Sequence, residues 1–266
     1  VVPLALALEE SGFARFGTAS HNKSLFSIPP SEPLDSLTMK PRTDLQDKTK
    51  FKQAKYVLIT GDKAFSPQNA EDLKEVTKNE NKNGENVKVI IISKAGSEGL
   101  DFKNIRQTHL LDPWYNTNRA EQIIGRGVRN LSHCALPFEE RNVEIYMHVT
   151  YLDKNNSMEA ADVYVYRLAK NKALKIGNVT RLMKENSVDC IINIGQTNFS
   201  ISKLSSLAAN QNIEIELSHD NKKIKFQVGD KPFSNLCDYM ENCEYKCAPR
   251  NLDSVSEREV TEVSYN

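Results

Sequence analysis

Val87-Lys88-Val89-Ile90-Ile91-Ile92-Ser93-Lys94-Ala95-Gly96-Ser97-Glu98-Gly99-Leu100-Asp101 is the run of residues on which the fold turns. Its first six residues are almost wholly aliphatic, which suits a strand buried on both faces of a parallel sheet. The strand then passes into a polar loop with two glycines. In a parallel α/β sheet, ligands lie just beyond the carboxyl ends of the strands. Glycines there let the backbone approach a ligand closely, and Asp101 can accept hydrogen bonds from sugar hydroxyls. Taken alone, the loop reads equally well as an ordinary strand-to-helix connection.

Downstream, Gln122-Ile123-Ile124-Gly125-Arg126-Gly127-Val128-Arg129 breaks that tie. The pattern predicts a helix from about Asn118 to Arg129, with Asn118 as cap and Glu121 at the capping-box position. Gln122, Arg126 and Arg129 are spaced i, i+4, i+7 and form one polar stripe. Ala120, Ile123, Ile124 and Val128 fall opposite and can face a sheet. Two guanidiniums on one face, beside a glycine that clears space, suit a multiply charged oxyanion such as a γ-phosphate. A solvated basic face is the better reading of two arginines alone. The loop upstream tips the balance.

Around this block the same rhythm continues. Tyr56–Thr60 is a short apolar run closed by Gly61-Asp62, and Ser66-Pro67 opens a polar helix to about Lys78. Further strands are expected at Thr108–Leu111 and Val143–Tyr151. Strands alternating with helices indicate a doubly wound α/β layer. Leu4, Leu6, Leu8 and Phe13 predict an amphipathic helix ending near Gly12. From His21 to about Lys50, four prolines among polar residues mark a surface loop or insertion. Beyond Asp153 the spacing of Ala161, Tyr164, Val165 and Leu168, then of Ile176, Val179, Leu182 and Met183, predicts two helices or one bent one to about Asn186. Short strands near Ile213–Leu217 and Ile224–Val228 follow. The expected division is 1–155 for the α/β lobe with a loop insertion at 20–52, 156–190 for a helical extension, and 191–266 for a small C-terminal extension.

Composition bounds the partners. Thirty-five basic residues balance thirty-five acidic ones, so any nucleic-acid contact must come from local patches. Five cysteines in 266 residues are no disulfide scaffold, and a reducing, intracellular setting is expected. Val1–Leu8 is too short to span a bilayer. The chain opens without methionine inside a helix-like pattern and reads as a fragment of a longer protein.

The motifs carry a resemblance. Ser93–Asp101 resembles motif V of superfamily-2 helicases, in the DEAD-box form of a Ser/Thr-led loop ending in Gly-x-Asp. Gln122–Arg129 resembles motif VI, Gln-x-x-Gly-Arg-x-x-Arg. Asp112-Pro113-Trp114-Tyr115-Asn116 is similar to the Asp-Pro-Trp-x-Asn segment of Swi/Snf-type translocases, and Gly61-Asp62 stands where such lobes carry a glycine turn. The segments Asp162-Val163-Tyr164, Leu182-Met183-Lys184 and Val188-Asp189-Cys190 are similar to helicases of nucleocytoplasmic large DNA viruses, of the early-transcription-factor and nucleoside-triphosphate-phosphohydrolase types.

This resemblance implies the second RecA-like lobe of an ATP-dependent helicase or translocase, with its first strand missing. It places Gly99 and Asp101 at the ribose and Arg126 and Arg129 at the γ-phosphate as arginine fingers. Gln122 would organise that face, and Ser93, Lys94 and Gly61 would meet nucleic acid. The chain contains no Gly-x-x-x-x-Gly-Lys-Ser/Thr and no Asp-Glu box, so ATP and Mg2+ would be held mainly by an upstream first lobe, and these residues alone should be inactive. Implied partners are nucleic acid, that first lobe and the transcription machinery, with no membrane, in a virion or a viral factory in host cytoplasm. The rival reading is a non-hydrolysing helicase fold that docks DNA or polymerase; the intact pair of arginines favours the enzyme.

Smaller features carry alternatives. Arg167, Lys170, Lys172, Lys175, Arg181 and Lys184 form either a duplex-backbone contact or a solvated face. Trp114 either stacks on a base or anchors packing. Cys237, Cys243 and Cys247 would clasp a structural zinc with Cys190 or His219 as fourth ligand, or are three reduced thiols on a helix.

Overall fold

Apolar side chains from the second residue of one strand onward and along the whole of its neighbour leave neither face for water, and each face acquires its own cover. In the computed structural model these strands are β2 (Lys55–Ile59) and β3 (Val89–Ile92), paired in parallel with Tyr56 opposite Val89 and Ile59 opposite Ile92. A two-residue β1 (Ala14–Arg15) joins the other edge of β2, also in parallel. On one face, Tyr56, Leu58 and Ile91 pack with Ala5, Leu4 and Leu8 of α1 (Val2–Glu10). On the other, Val57 and Ile59 pack with Val76 and Leu73 of α2 (Asn69–Val76), with Phe102 completing the cluster. The alternation of strand side chains thus builds a helix–sheet–helix sandwich. The structure describes residues 1–17, 24–28, 31–94, 99–152, 158–201, 203–204 and 212–248.

A buried carboxylate fixes α1 in place. Glu9 accepts hydrogen bonds from Tyr56 Oη at 2.6 Å, Ser24 Oγ at 2.6 Å and the Leu25 N–H at 2.8 Å. Burial and that carboxylate push the Tyr56 phenol well above its ordinary pKa.

The later strands pair with each other and not with β1–β3. β4 (Gln107–Leu110) and β5 (Glu144–Met147) form a separate two-stranded sheet. The Glu144 N–H donates to the Arg106 carbonyl and the His148 N–H to the Leu110 carbonyl, both at 2.9 Å, so the two chains run the same way. Polar residues at Gln107, His109 and Glu144 deny these strands the two apolar faces that β2 and β3 have.

The chain divides into two compact units, 1–109 with 122–146, and 110–121 with 147–266. In the second, α4 (Ala161–Asn186) is one continuous helix and not two. Its buried line is Ala169, Ala173, Gly177 and Arg181, not the apolar series whose spacing predicted the helix. Ile176, Val179, Leu182 and Met183 are more than half exposed. Small residues win that line because the 237–247 segment lies against it. Arg181 donates to Asp238 at 2.8 Å and to the carbonyls of Asn242, Glu244 and Cys237, and Lys184 adds a 2.6 Å bond to Asp238. Next comes α5 (Cys190–Thr197), then the antiparallel pair β6 (Asn212–Glu216) and β7 (Lys223–Gln227).

The zinc expectation is corrected here. Cys190 is bonded to Cys247 and Cys237 to Cys243 as disulfides, with Cα atoms 5.7 and 4.7 Å apart. Every thiol of the supposed site is consumed by another, and His219 sits in the β6–β7 turn. Among the described residues no group of three or more His, Cys, Asp or Glu is placed to hold a metal. The alternative of reduced thiols on a helix is corrected as well: the segment is a turn followed by irregular backbone, and only Cys134 is free. Among the described residues no helix is long and apolar enough to cross a membrane.

Candidate functional site

Two stretches more than twenty residues apart in sequence meet at one concavity. Gly99, Leu100, Gln122, Gly125, Arg126 and Arg129 line a shallow pocket of about 360 Å³. Gly99 and Leu100 follow the loop after β3, and the other four come from α3 (Thr117–Gly127) and its exit. Gly99 has φ +71, a backbone conformation that side-chain-bearing residues rarely adopt. A side-chain carbon at Gly125 would meet nothing within 4 Å, so this glycine leaves the pocket open.

The arginines are held from behind. Arg126 Nη1 donates to the Leu100 carbonyl at 3.0 Å, and Arg129 Nη1 stands 2.9 Å from Asp101 Oδ1. Both side chains of the Arg129–Asp101 pair are at least half exposed, so the contact is readily exchanged for a ligand. Each guanidinium has five N–H donors, which leaves several free of these contacts. The six lining residues include no carboxylate. They suit phosphate oxygens and do not fit a magnesium ion.

The expected helix is present with altered ends. Asn116, not Asn118, caps it, its Oδ1 accepting from the Arg119 N–H at 3.3 Å. Three cap-forming residues in succession, Asn116-Thr117-Asn118, left that choice open in sequence. The helix stops at Gly127, so Arg129 lies beyond it and reaches the pocket from the exit. Val128 is half exposed and does not face a sheet. Gly127 does: a Cβ there would stand 2.6 Å from Thr108 Oγ1. The backbone acceptor at Leu100 was illegible in sequence, because any residue presents a carbonyl.

Other expected contacts fare differently. Ser93 continues β3, its N–H donating to the Ile59 carbonyl at 3.0 Å, and lies beside the exposed Gly61 at the carboxyl ends of adjacent strands. Lys94 is exposed. Ala95, Gly96, Ser97 and Glu98, the middle of the motif V-like loop, lie outside the described residues. In the second unit the Trp114 ring is partly exposed, with the Arg119 guanidinium 5.1 Å from its centre, and Lys172 stands 5.8 Å from the Tyr115 ring. The basic run on α4 is thinned: Arg181 and Lys184 bind Asp238, and Arg167 binds Glu159.

Comparison with known proteins points to one family. Residues 36–130 match the helicase conserved C-terminal domain. The chain is 30% identical over 195 residues to a protein named a helicase in Invertebrate iridescent virus 3, covering 67% of this chain and 20% of that protein. It is 40% identical over 112 residues to one named an ATP-dependent RNA helicase in Acanthamoeba polyphaga mimivirus, covering 40% of this chain and 14% of the relative. Against nucleoside triphosphatase I of Heliothis armigera entomopoxvirus it is 37% identical over 123 residues, covering 46% and 19%. The chain therefore spans a fifth or less of the length of these relatives.

Proposed function

Residues 36–130 being the C-terminal lobe of a superfamily-2 helicase of the large-DNA-virus type, we propose that the Arg126/Arg129 pocket is its half of a nucleoside-triphosphate site. The observation that carries this is convergence. Gln122, Arg126 and Arg129 share one open pocket with Gly99, beside Asp101.

Phosphoryl transfer needs little covalent help from protein; it needs charge neutralised as it redistributes over the phosphoryl oxygens. Arg126 and Arg129 supply that charge from across a cleft. Arg126 is steadied by the Leu100 carbonyl, while Arg129 gives up Asp101 to reach a phosphate. Asp101, released, accepts from the ribose hydroxyls, and Gly99 leaves room for the sugar. The phosphate-loop lysine and the acids that hold magnesium belong to a first lobe outside these 266 residues. Because the arginines act only when the lobes close, hydrolysis is coupled to a shift along nucleic acid held by Ser93, Lys94 and Gly61. The work is done in viral transcription or genome processing.

The test is kinetic. In the full-length protein, Arg126→Ala should lower kcat by about a thousandfold or more with nucleotide affinity nearly unchanged, since finger contacts tighten in the transition state. An unchanged kcat would overturn the assignment.

A further inference from the structure

The β6–β7 hairpin has a regularity that the nucleotide site does not use. Ile213 stands opposite Phe226 and Ile215 opposite Ile224, while Glu214 stands opposite Lys225 and Glu216 opposite Lys223. Period-two alternation puts the first four residues on one face and the charged four on the other. The apolar face is open: Ile213, Ile224 and Phe226 are exposed by 47%, 40% and 38%. Among the described residues each strand has the other as its only sheet neighbour. A two-stranded hairpin alone is marginal in water, and a further strand is the usual remedy.

The charges say which strand fits. Within the hairpin, β6 carries only acidic charge and β7 only basic charge. A β6 strand laid antiparallel on the outer edge of β7 repeats the register of the hairpin itself, apolar beside apolar and acidic beside basic. Pairing β6 with β6, or β7 with β7, sets like charges side by side. Edge lysines usually repel added strands; here the complementary acidic strand exists in every other copy of the chain. The base of the hairpin is fixed, with the Asp230 N–H donating to the Phe199 carbonyl at 2.8 Å and the Phe199 N–H to Asp230 Oδ2 at 3.1 Å. Lys231 occupies the Gln227 carbonyl at 2.7 Å, so the usable edge is Lys223–Phe226.

We propose that this hairpin is a self-association element, in which β6 of one copy adds to the outer edge of β7 of another. Main-chain hydrogen bonds supply the attraction and the opposed charges supply the register. The two surfaces differ, so the contact is heterologous and yields a ring or an open series.

Sedimentation of the 266-residue chain, with hydrogen exchange at matched concentrations, tests this. Over roughly 1–100 µM, a range suited to a small interface, the chain should grow in size while amides of 212–216 and 223–227 gain protection. Lys223→Glu with Lys225→Glu should weaken association by about tenfold or more. The fully swapped chain, Glu214→Lys, Glu216→Lys, Lys223→Glu and Lys225→Glu, keeps its internal cross-strand pairs. It should associate with itself yet mix with the parent at least about tenfold more weakly. A parent chain that stays monomeric, association without protection at these strands, or free mixing of parent and swapped chains would each overturn the proposal. If the swapped chain fails to fold, the parent's exchange pattern decides.

Discussion

Arg129 and Asp101 are held 2.9 Å apart at the mouth of the pocket, each side chain at least half exposed. A pair so wet contributes only about 0–1 kcal/mol to stability. Asp101→Asn should therefore move the melting temperature of the chain by less than about 3 °C. In the full-length protein the same change should weaken nucleotide binding by about tenfold, because a charge-assisted acceptor is lost. Thermal melts and nucleotide titration read the two effects separately; a variant with undiminished affinity would remove Asp101 from the site.

The 266 residues alone should hydrolyse no ATP above background. They have no phosphate loop, and the pocket lining offers no carboxylate for magnesium. Calorimetric titration should find weak nucleotide binding at most. Tight, magnesium-dependent binding would contradict the two-lobe reading.

Gly177→Ala should unfold or loosen the second unit. A Cβ at this position would lie 1.9 Å from the Asp238 carbonyl oxygen, a backbone atom that no rotamer change can move. The cost should be about 2–4 kcal/mol, read as a lowered denaturant midpoint. Ala173→Gly is a control on the same buried line, expected to lose about 1–2 kcal/mol through helix propensity and the lost buried methyl.

Asp72 predicts a dependence on pH. Burial pushes its carboxyl up to about 6 from an ordinary 3.8, against the opposing pull of Arg15. Folding thus favours the protonated form. The contribution is full below about pH 4, where the unfolded carboxyl is also protonated, and is lost as pH rises through about 6. Asp72→Asn should accordingly be more stable than the parent at pH 7–8, by about 1–2 kcal/mol after allowing for partial solvation, and no more stable below pH 4. Denaturant curves at pH 4 and pH 8 check the sign; a loss at pH 8 would refute it.

Thiol chemistry checks the cystine pairing. Under non-reducing conditions one of the five cysteines, Cys134, should take up an alkylating reagent. After reduction and unfolding all five should. Peptide mapping of the unreduced chain should link Cys190 with Cys247 and Cys237 with Cys243. Five labelled cysteines in the native, unreduced chain would count against both bonds.

Local periodicity and motif order were enough to read β2 and β3 as strands of a parallel sheet, α2, α3, the two short strands β6 and β7, and the helicase character of the lobe. Strands that are almost wholly apolar require cover on both faces, and the order of loop, helix and arginines carries the resemblance to a helicase lobe. These are properties of neighbours in sequence, so the sequence alone displays them.

What belonged to contacts between distant residues was decided by tertiary structure. Spacing of Ile176, Val179, Leu182 and Met183 predicted a helix there, but the buried line of α4 is Ala169, Ala173, Gly177 and Arg181. A backbone segment some sixty residues later packs there, and only small residues and one long cation fit beneath it. The crowding of three cysteines offered zinc or reduced thiols, but Cys190 is brought from α5 to Cys247, which leaves Cys237 and Cys243 to each other. The helix exit at Gly127 turned Arg129 off the predicted stripe and onto Asp101. A pattern records which faces are apolar; which face is buried depends on what arrives to cover it, and that is fixed only when the whole chain has folded.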